Sequence, residues 1–455
     1  MFKKIILFFF SIFAFMFPVF LSSCSFNNQI YFANFESYIS PDLMEELEGE
    51  FKNLKFRFYD TNETLERNFT RNYDIATPSS YIVQKFIDEN KIAKIEWDRF
   101  NLTYFDENTQ QEKKVNNSND ALNLFNEDIQ SILKQNFIKT GVDLLDYAVP
   151  YFAQDFVLGY KNEKIPEPLG GWTWDHIANY FGDNVGKNKK YNKIVMIDDY
   201  RSVYSIPRLI ETKNDLQPSV NLGGSPNDIH SIDSFKKTYN NFFGKFKNKN
   251  SFLLNSDSNN VLNDFTSEKG SDVGIMYNGD LLFSVLGGDE FPDPEDNPFF
   301  NDEDNEENFN VHFIRPNNTL MALDMLVINK NSKHIDDSHE IIKKIALEGS
   351  SYGEDITKTV DDEDESYYYG PMKNFDYILY TSPLKKIYDH VVDKDDGYFS
   401  YLIDGEKPYS QAFVDFCIEI FDSFKTTSKN MIEKNLSDIN KSNMYYAFSD
   451  IKERI

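Results

Sequence analysis

Cysteine is nearly absent, with only Cys24 and Cys417 in 455 residues. Two cysteines exclude a disulfide framework and a cysteine-built zinc site. Basic charge is also scarce: 47 Lys and Arg face 74 Asp and Glu, for a formal net charge of −27. A surface that grips a phosphate backbone needs a basic stripe, so the balance argues against nucleic acid and favours cationic or neutral ligands. The chain has neither G-x-x-x-x-G-K-[ST] nor G-x-G-x-x-G, and its six histidines never form H-E-x-x-H. No phosphate cradle, resident metal or cofactor is therefore expected. No repeat recurs at a fixed period of 20–50 residues.

Apolar and aromatic residues are plentiful. The chain is 40% hydrophobic and 16% aromatic, with 42 Phe and 27 Tyr. It can bury sizeable cores, and its length suits two lobes better than one. At the N-terminus, Lys3-Lys4 precedes an uncharged apolar run from Ile5 to Leu21 and then Ser22-Ser23-Cys24. A basic start, an apolar stretch and small residues before a cut mark an export signal. Leu21-Ser22-Ser23-Cys24 resembles the bacterial lipobox, which implies a signal peptide over 1–23 and a lipid on Cys24. Either that or an uncleaved anchor sets the rest outside the cytoplasmic membrane. Cys417, inside the apolar Phe413–Ile418 stretch, reads as core.

Beyond the polar spacer 25–29, strands and helices alternate. Ile30–Phe35, Leu54–Tyr59 and Tyr73–Ala76 read as strands. Helices follow each of them, starting at Ser40-Pro41, at Asn62 and at Ile82. The pattern returns with strands at Lys193–Ile197, Val273–Tyr277 and Leu320–Ile328, continuous apolar runs that fit a sheet covered on both faces. The prediction is an α/β fold. Two acidic inserts, 289–307 and 361–365, lack the alternating acids, central Gly and terminal Glu of a calcium loop and read as solvated loops. Gly349-Ser350-Ser351-Tyr352-Gly353 matches the G-x-S-x-G of serine hydrolases. It follows a predicted helix, Ser338–Glu348, instead of a strand, so Gly349 reads as a helix cap and no catalytic residue is assigned. His334 and His339, flanking Asp336-Asp337, read as a solvated cap.

Ligands of α/β sheets lie beyond the carboxyl ends of strands. Several strands here end in acids and aromatics: Phe35-Glu36-Ser37-Tyr38, Ser79-Ser80-Tyr81, Asp198-Asp199 and Tyr277. Asp324 interrupts a wholly apolar strand, a costly position unless the carboxylate is paired or faces a cleft.

These segments resemble the spermidine/putrescine-binding proteins of ABC importers. Asn34–Pro41 is similar to the family's N-W-x-x-Y opening, Tyr73–Tyr81 to Y-D-[LV]-x-x-P-S-x-Y, and Tyr147–Tyr151 to a Y-x-[IV]-P-Y hinge crossing. Asp198-Asp199-x-Arg201 is similar to D-D-x-R, Met276–Gly279 to Y-N-G, and Leu323–Ile328 to M-D-S-x-x-I. Order and spacing hold over roughly residues 30–425. The resemblance implies a two-lobed periplasmic-binding-protein-like (type 2) fold with a ligand cleft between lobes. One lobe takes 24–151 plus about 323–383. The other takes 152–322 plus about 384–425, leaving 426–455 as a C-terminal helical extension.

By the same resemblance, Phe35 and Tyr38 pack on a ligand's methylenes, with Glu36 and Ser37 beside them. Ser79 and Tyr81 add a hydroxyl and a ring, Asp199 pairs an ammonium, and Asp324 is the main amine anchor. Ser202 stands where the family has a second acid, Tyr277 replaces a Trp, and Ala322 stands where the family has another Trp. The implied role is non-enzymatic: lipid-anchored capture of polyamine outside the cell and delivery to an ABC permease. Another small solute on the same fold, or a surface interaction lipoprotein that has lost transport, are the competing readings. Polyamines suit the site because spaced carboxylates meet their ammonium groups and aromatic walls meet their methylenes.

Overall fold

The computed structural model describes residues 28–135, 142–212, 229–248, 250–286, 299, 310–359, 366–400, 402, 409–424 and 435–455. The signal segment with Cys24, residues 426–434 and the acidic inserts, apart from Phe299, lie outside the described residues.

The expected α/β alternation forms one curled sheet. Its strands are β1 (Ile30–Phe35), β2 (Leu54–Tyr59), β3 (Ile75–Ala76), β6 (Ala148–Lys161), β7 (Ile194–Ile197), β8 (Phe252–Asn255), β9 (Val273–Tyr277), β10 (Val311–Ile314) and β11 (Met321–Ile328). A separate hairpin is made by β4 (Thr103–Asp106) and β5 (Gln111–Lys114). The sheet runs β2-β1-β3-β11-β6-β9-β7-β8, with β10 paired to β6. Parallel pairs stand on both sides, β2/β1/β3 and β9/β7/β8. Between them β11 and β6 run antiparallel. The first half of β6 pairs with β11, and its second half pairs with β9 and β10. Every β6 residue but the last is buried.

Pro150 sits inside this central strand, where a residue without an N–H normally breaks the ladder. The ladder absorbs it in a bulge: Asp324 pairs with Phe152 and Met325 with Pro150, leaving Tyr151 as the extra residue.

Helices cover both faces, and their buried sides form two apolar clusters. The first gathers Phe32, Phe69, Phe86, Val149, Leu326 and Phe375, with Cys417 fully buried in it as expected of a core residue. The second gathers Trp174, Tyr191, Tyr239 and Phe243. The last helix, Asp438–Lys452, buries Met444, Ala447, Phe448 and Ile451 in that second cluster.

Local boundaries shift slightly from the sequence reading. The helix after β11 runs Ile335–Ala346, three residues earlier than expected. This brings His339 inside: it is buried, its Nε2 accepts the Glu96 amide at 3.0 Å, and its Nδ1 lies 2.8 Å from the Ile335 carbonyl. It is a core residue and not a solvated cap, and burial lowers its pKa. Gly349 has φ +78, the left-handed conformation glycine favours. Ser351 Oγ accepts the Thr103 amide at 3.3 Å, an ordinary loop contact.

Candidate functional site

The site gathers at the carboxyl ends of β1, β3 and β9 and in the middle of β11. β1 stops at Phe35, and the chain turns through Glu36 and Ser37, both exposed, with Ser37 at φ 56. The turn folds Tyr38 back into the protein. Its phenol donates to Asp324 Oδ2 at 2.5 Å, and Tyr151 Oη donates to its carbonyl at 2.9 Å. From the end of β3, Ser79 Oγ donates to the other oxygen, Asp324 Oδ1, at 2.6 Å. Asn62 holds that serine, its Nδ2 donating to Ser79 Oγ at 2.9 Å and its Oδ1 accepting the Ser79 amide at 3.1 Å.

Asp324 is thus 5% exposed and met by two neutral hydroxyls. Among the described residues no Lys, Arg or His pairs with it. Burial raises its pKa, and the bonds from Ser79 and Tyr38 only partly oppose the rise. The Tyr38 phenol is pushed up by burial and then by the Asp324 charge.

Rings surround this carboxylate. Tyr38 meets Phe35 (5.5 Å between centroids), Phe152 (5.7 Å), Tyr151 (5.8 Å) and Tyr380 (5.4 Å), all edge to face. Such pairs are each worth about 0.5–1.5 kcal/mol beyond their area. Tyr380 hands its hydroxyl to a second buried acid, Asp280 Oδ1, at 2.6 Å. Burial pushes the Asp280 pKa up to about 6.

A neighbouring group comes from the ends of β7 and β9. Asp199 is the N-cap of the helix Tyr200–Glu211; it accepts the amides of Arg201 (3.1 Å) and Ser202 (3.2 Å) and the Ser202 hydroxyl (2.5 Å). Ser202 Oγ lies 3.4 Å from Tyr277 Oη, and the Tyr277 ring packs on Phe156 at 4.5 Å. Arg201 is buried, with its guanidinium 3.7 Å from the centre of the Tyr81 ring. Beside it, Tyr200 Oη donates to Glu63 Oε1 at 3.3 Å. Further out, Glu66 takes both Lys85 and, at 3.0 Å, Lys441 of the last helix, while Lys85 reaches Asp438 at 3.3 Å.

The sequence-derived residues therefore fall into two clusters and an edge. Tyr38, Ser79 and Asp324 are bonded together with Phe35 against them; Asp199, Ser202 and Tyr277 form the second cluster; Tyr81 lies under Arg201. Glu36 and Ser37 stand at the exposed turn. Gln154, Asp280 and Tyr380 were not singled out from the sequence. Only Asp280 left a trace there, as the one charge between Tyr277-Asn278-Gly279 and an apolar run.

The architecture is that of periplasmic solute-binding proteins. The chain aligns over 93% of its length, and 98% of the other chain, with the spermidine/putrescine ABC transporter substrate-binding protein PotD from Streptococcus pneumoniae (14% identity, TM-score 0.52). It aligns over 94% of its length, and all of the other chain, with the TpPotD lipoprotein of Treponema pallidum (12% identity, TM-score 0.53). The chain belongs to the family described as hypothetical lipoprotein (MG045 family), whose profile matches residues 1–402. The spermidine/putrescine-binding periplasmic protein of Salmonella typhimurium is 25% identical over 187 residues, as is that of Escherichia coli. In both cases the match spans 40% of this chain and 43% of the relative, less than half of either.

Proposed function

We propose that this chain is the substrate-binding component of an ABC importer, that it captures a polyamine, and that it works without turnover. The single observation behind the ligand is Asp324: a buried carboxylate, ringed by aromatics, with hydroxyl donors and no cationic partner among the described residues. An organic ammonium supplies the missing charge. Phe35, Tyr38, Tyr81 and Tyr277 would wall its methylenes, and Ser79, Ser202, Glu36 and Ser37 would line the slot. Asp199, already the cap of its helix, would serve an ammonium through the field of its carboxylate. Lobes divided at about 151/152, 322/323 and 383/384 would close over the ligand, with permease subunits as partners. The lipobox-like segment and the lipoprotein family support a lipid on Cys24 and a place on the outer face of the membrane.

Titration calorimetry of the full chain in detergent with putrescine, spermidine and spermine at two salt concentrations tests the reading. The expected result is a one-to-one saturable isotherm that survives higher salt and disappears in Asp324→Ala. Weak, multivalent heat abolished by salt would mean only that an acidic surface attracts cations, and would sink the polyamine site.

A further inference from the structure

The proposed amine site holds an acceptor that no described residue meets. Gln154 lies on β6 opposite Ala322 of β11, two residues from Asp324, so the three side chains share one face of the ladder. Ala322 is too small to cover the amide. Gln154 is 3% exposed, and its Nε2 donates to Tyr38 Oη at 3.0 Å. Its Oε1 is buried and has no hydrogen-bond partner among the described residues, an unusual condition for an interior polar atom.

Proton counting fixes the amide's orientation. Tyr38 has one hydroxyl hydrogen; with Asp324 ionised, as pairing to an ammonium requires, that hydrogen goes to the carboxylate and the phenol oxygen accepts from the amide NH2. The carbonyl oxygen is left facing the interior.

On the other side of Tyr38 stands Tyr380, in edge contact and bonded to Asp280, which is 7% exposed. Gly279 lets that ring come close: a Cβ there would lie 2.1 Å from it. Two buried carboxylates thus each hold one hydroxyl of a touching tyrosine pair, and among the described residues neither has a cationic partner. Asp324, Asp280 and Gln154 Oε1 together present acceptors in excess of donors. The complement is a small ligand rich in N–H bonds.

We infer that Gln154 and Asp280 are ligand-contacting residues that make the site selective for a short primary diamine. One ammonium sits on Asp324, with one N–H to Gln154 Oε1; the second sits on Asp280; the Tyr38 and Tyr380 rings wall the methylenes between. A primary ammonium offers three N–H donors and a quaternary one offers none, so Gln154 discriminates between them. Asp280 discriminates a diamine from a monoamine. The inference rests on the amine reading of Asp324.

Calorimetry on the full chain separates the two claims, using putrescine, n-butylamine and 4-aminobutyl-trimethylammonium as probes. In wild type, putrescine should bind at least about tenfold tighter than n-butylamine, as one charge-assisted bond requires. Asp280→Asn should erase that ratio while leaving n-butylamine unchanged. Gln154→Met should weaken n-butylamine roughly fivefold to tenfold. Thermal melts of both variants serve as the folding control, and Asp280→Glu should restore part of the ratio if the charge itself acts. If wild type binds putrescine, Asp324→Asn abolishes it, and Asp280→Asn keeps the wild-type ratio, the diamine inference is overturned while the amine reading stands. If no amine saturates the wild-type chain, both fall.

Discussion

Two aspartates on the same pair of strands have opposite surroundings. Asp155 on β6 is fully buried, and Arg315 grips it with Nε at 2.8 Å and Nη2 at 3.3 Å. The same guanidinium donates to the Ile420 carbonyl at 2.6 Å, tying β6 to the helix Gln411–Phe421. Asp324 on β11 is almost as buried but, among the described residues, its carboxylate receives only the Tyr38 and Ser79 hydroxyls. The first carboxylate is balanced inside the protein and ties elements together. The second is left with a charge that a visitor must balance. Burial depth alone would have ranked them alike; the identity of the donors separates a strut from a site.

The contrast breaks most visibly when one cation is removed. Arg315→Met strands Asp155 without its partner and should cost about 3–5 kcal/mol in urea unfolding. Asp324→Asn removes an unbalanced charge and should leave the ligand-free protein equally or more stable. If both variants lose stability to the same extent, the distinction is wrong.

A second, smaller effect sharpens the contrast by pH. Asp280 and Asp155 both carry pKa values raised to about 6 from 3.8. Burial is the main cause in both, opposed by Arg315 at Asp155 and by the Tyr380 hydroxyl at Asp280. Between pH about 4 and about 6 the folded chain holds protons that the unfolded chain has released. Unfolding free energy should therefore fall as pH rises through that window, by at most about 1.4 kcal/mol per group per pH unit. Urea midpoints of the ligand-free chain should show the slope, and Asp280→Asn should reduce it. An unchanged slope in that variant would remove Asp280 from the account.

The mildest test uses a group of the ordinary sign. Burial raises the Glu66 pKa, but hydrogen bonds from Lys85 and Lys441 outweigh it and the net shift is downward. Its stabilisation is present above the usual glutamate range and is lost as pH falls below it. Glu66→Gln should cost about 1 kcal/mol, screened by salt because the cluster is partly wet. A loss unaffected by salt would mean packing and not charge holds the last helix to the helix Asn62–Asn72.

Much of this fold could be read from local pattern. Ile194–Ile197, Val273–Tyr277 and Met321–Ile328 are apolar runs bounded by polar ends, and such strands announce themselves. β6 did not, because Pro150, Gln154 and Asp155 interrupt its apolar run; their tolerance comes from a bulge, a tyrosine hydroxyl and Arg315, all distant in sequence. The site divides in the same way. Asp324 stood out as a charge within an apolar strand, and Ser79 by its place at a strand end. Tyr380 and Gln154 carry no local mark, since their meaning arises only where β6, β11 and the turn after β1 converge. Asp199 was legible as an acid, but the local Asp-x-x-Ser geometry that turns its oxygens toward its own helix is visible only in three dimensions.

The shared strand β6 also bears on how the protein can come into being. Its first eight residues complete the ladder with β11, and the rest complete the ladders with β9 and β10. Neither side of the sheet owns it, so neither side can close its core while the other is still a coil. The partners of this one segment are separated from it by more than a hundred residues of chain, and loops that long are slow to close. Folding must wait for β11 to be made, and a nick within β6 would cost both sides their central strand at once.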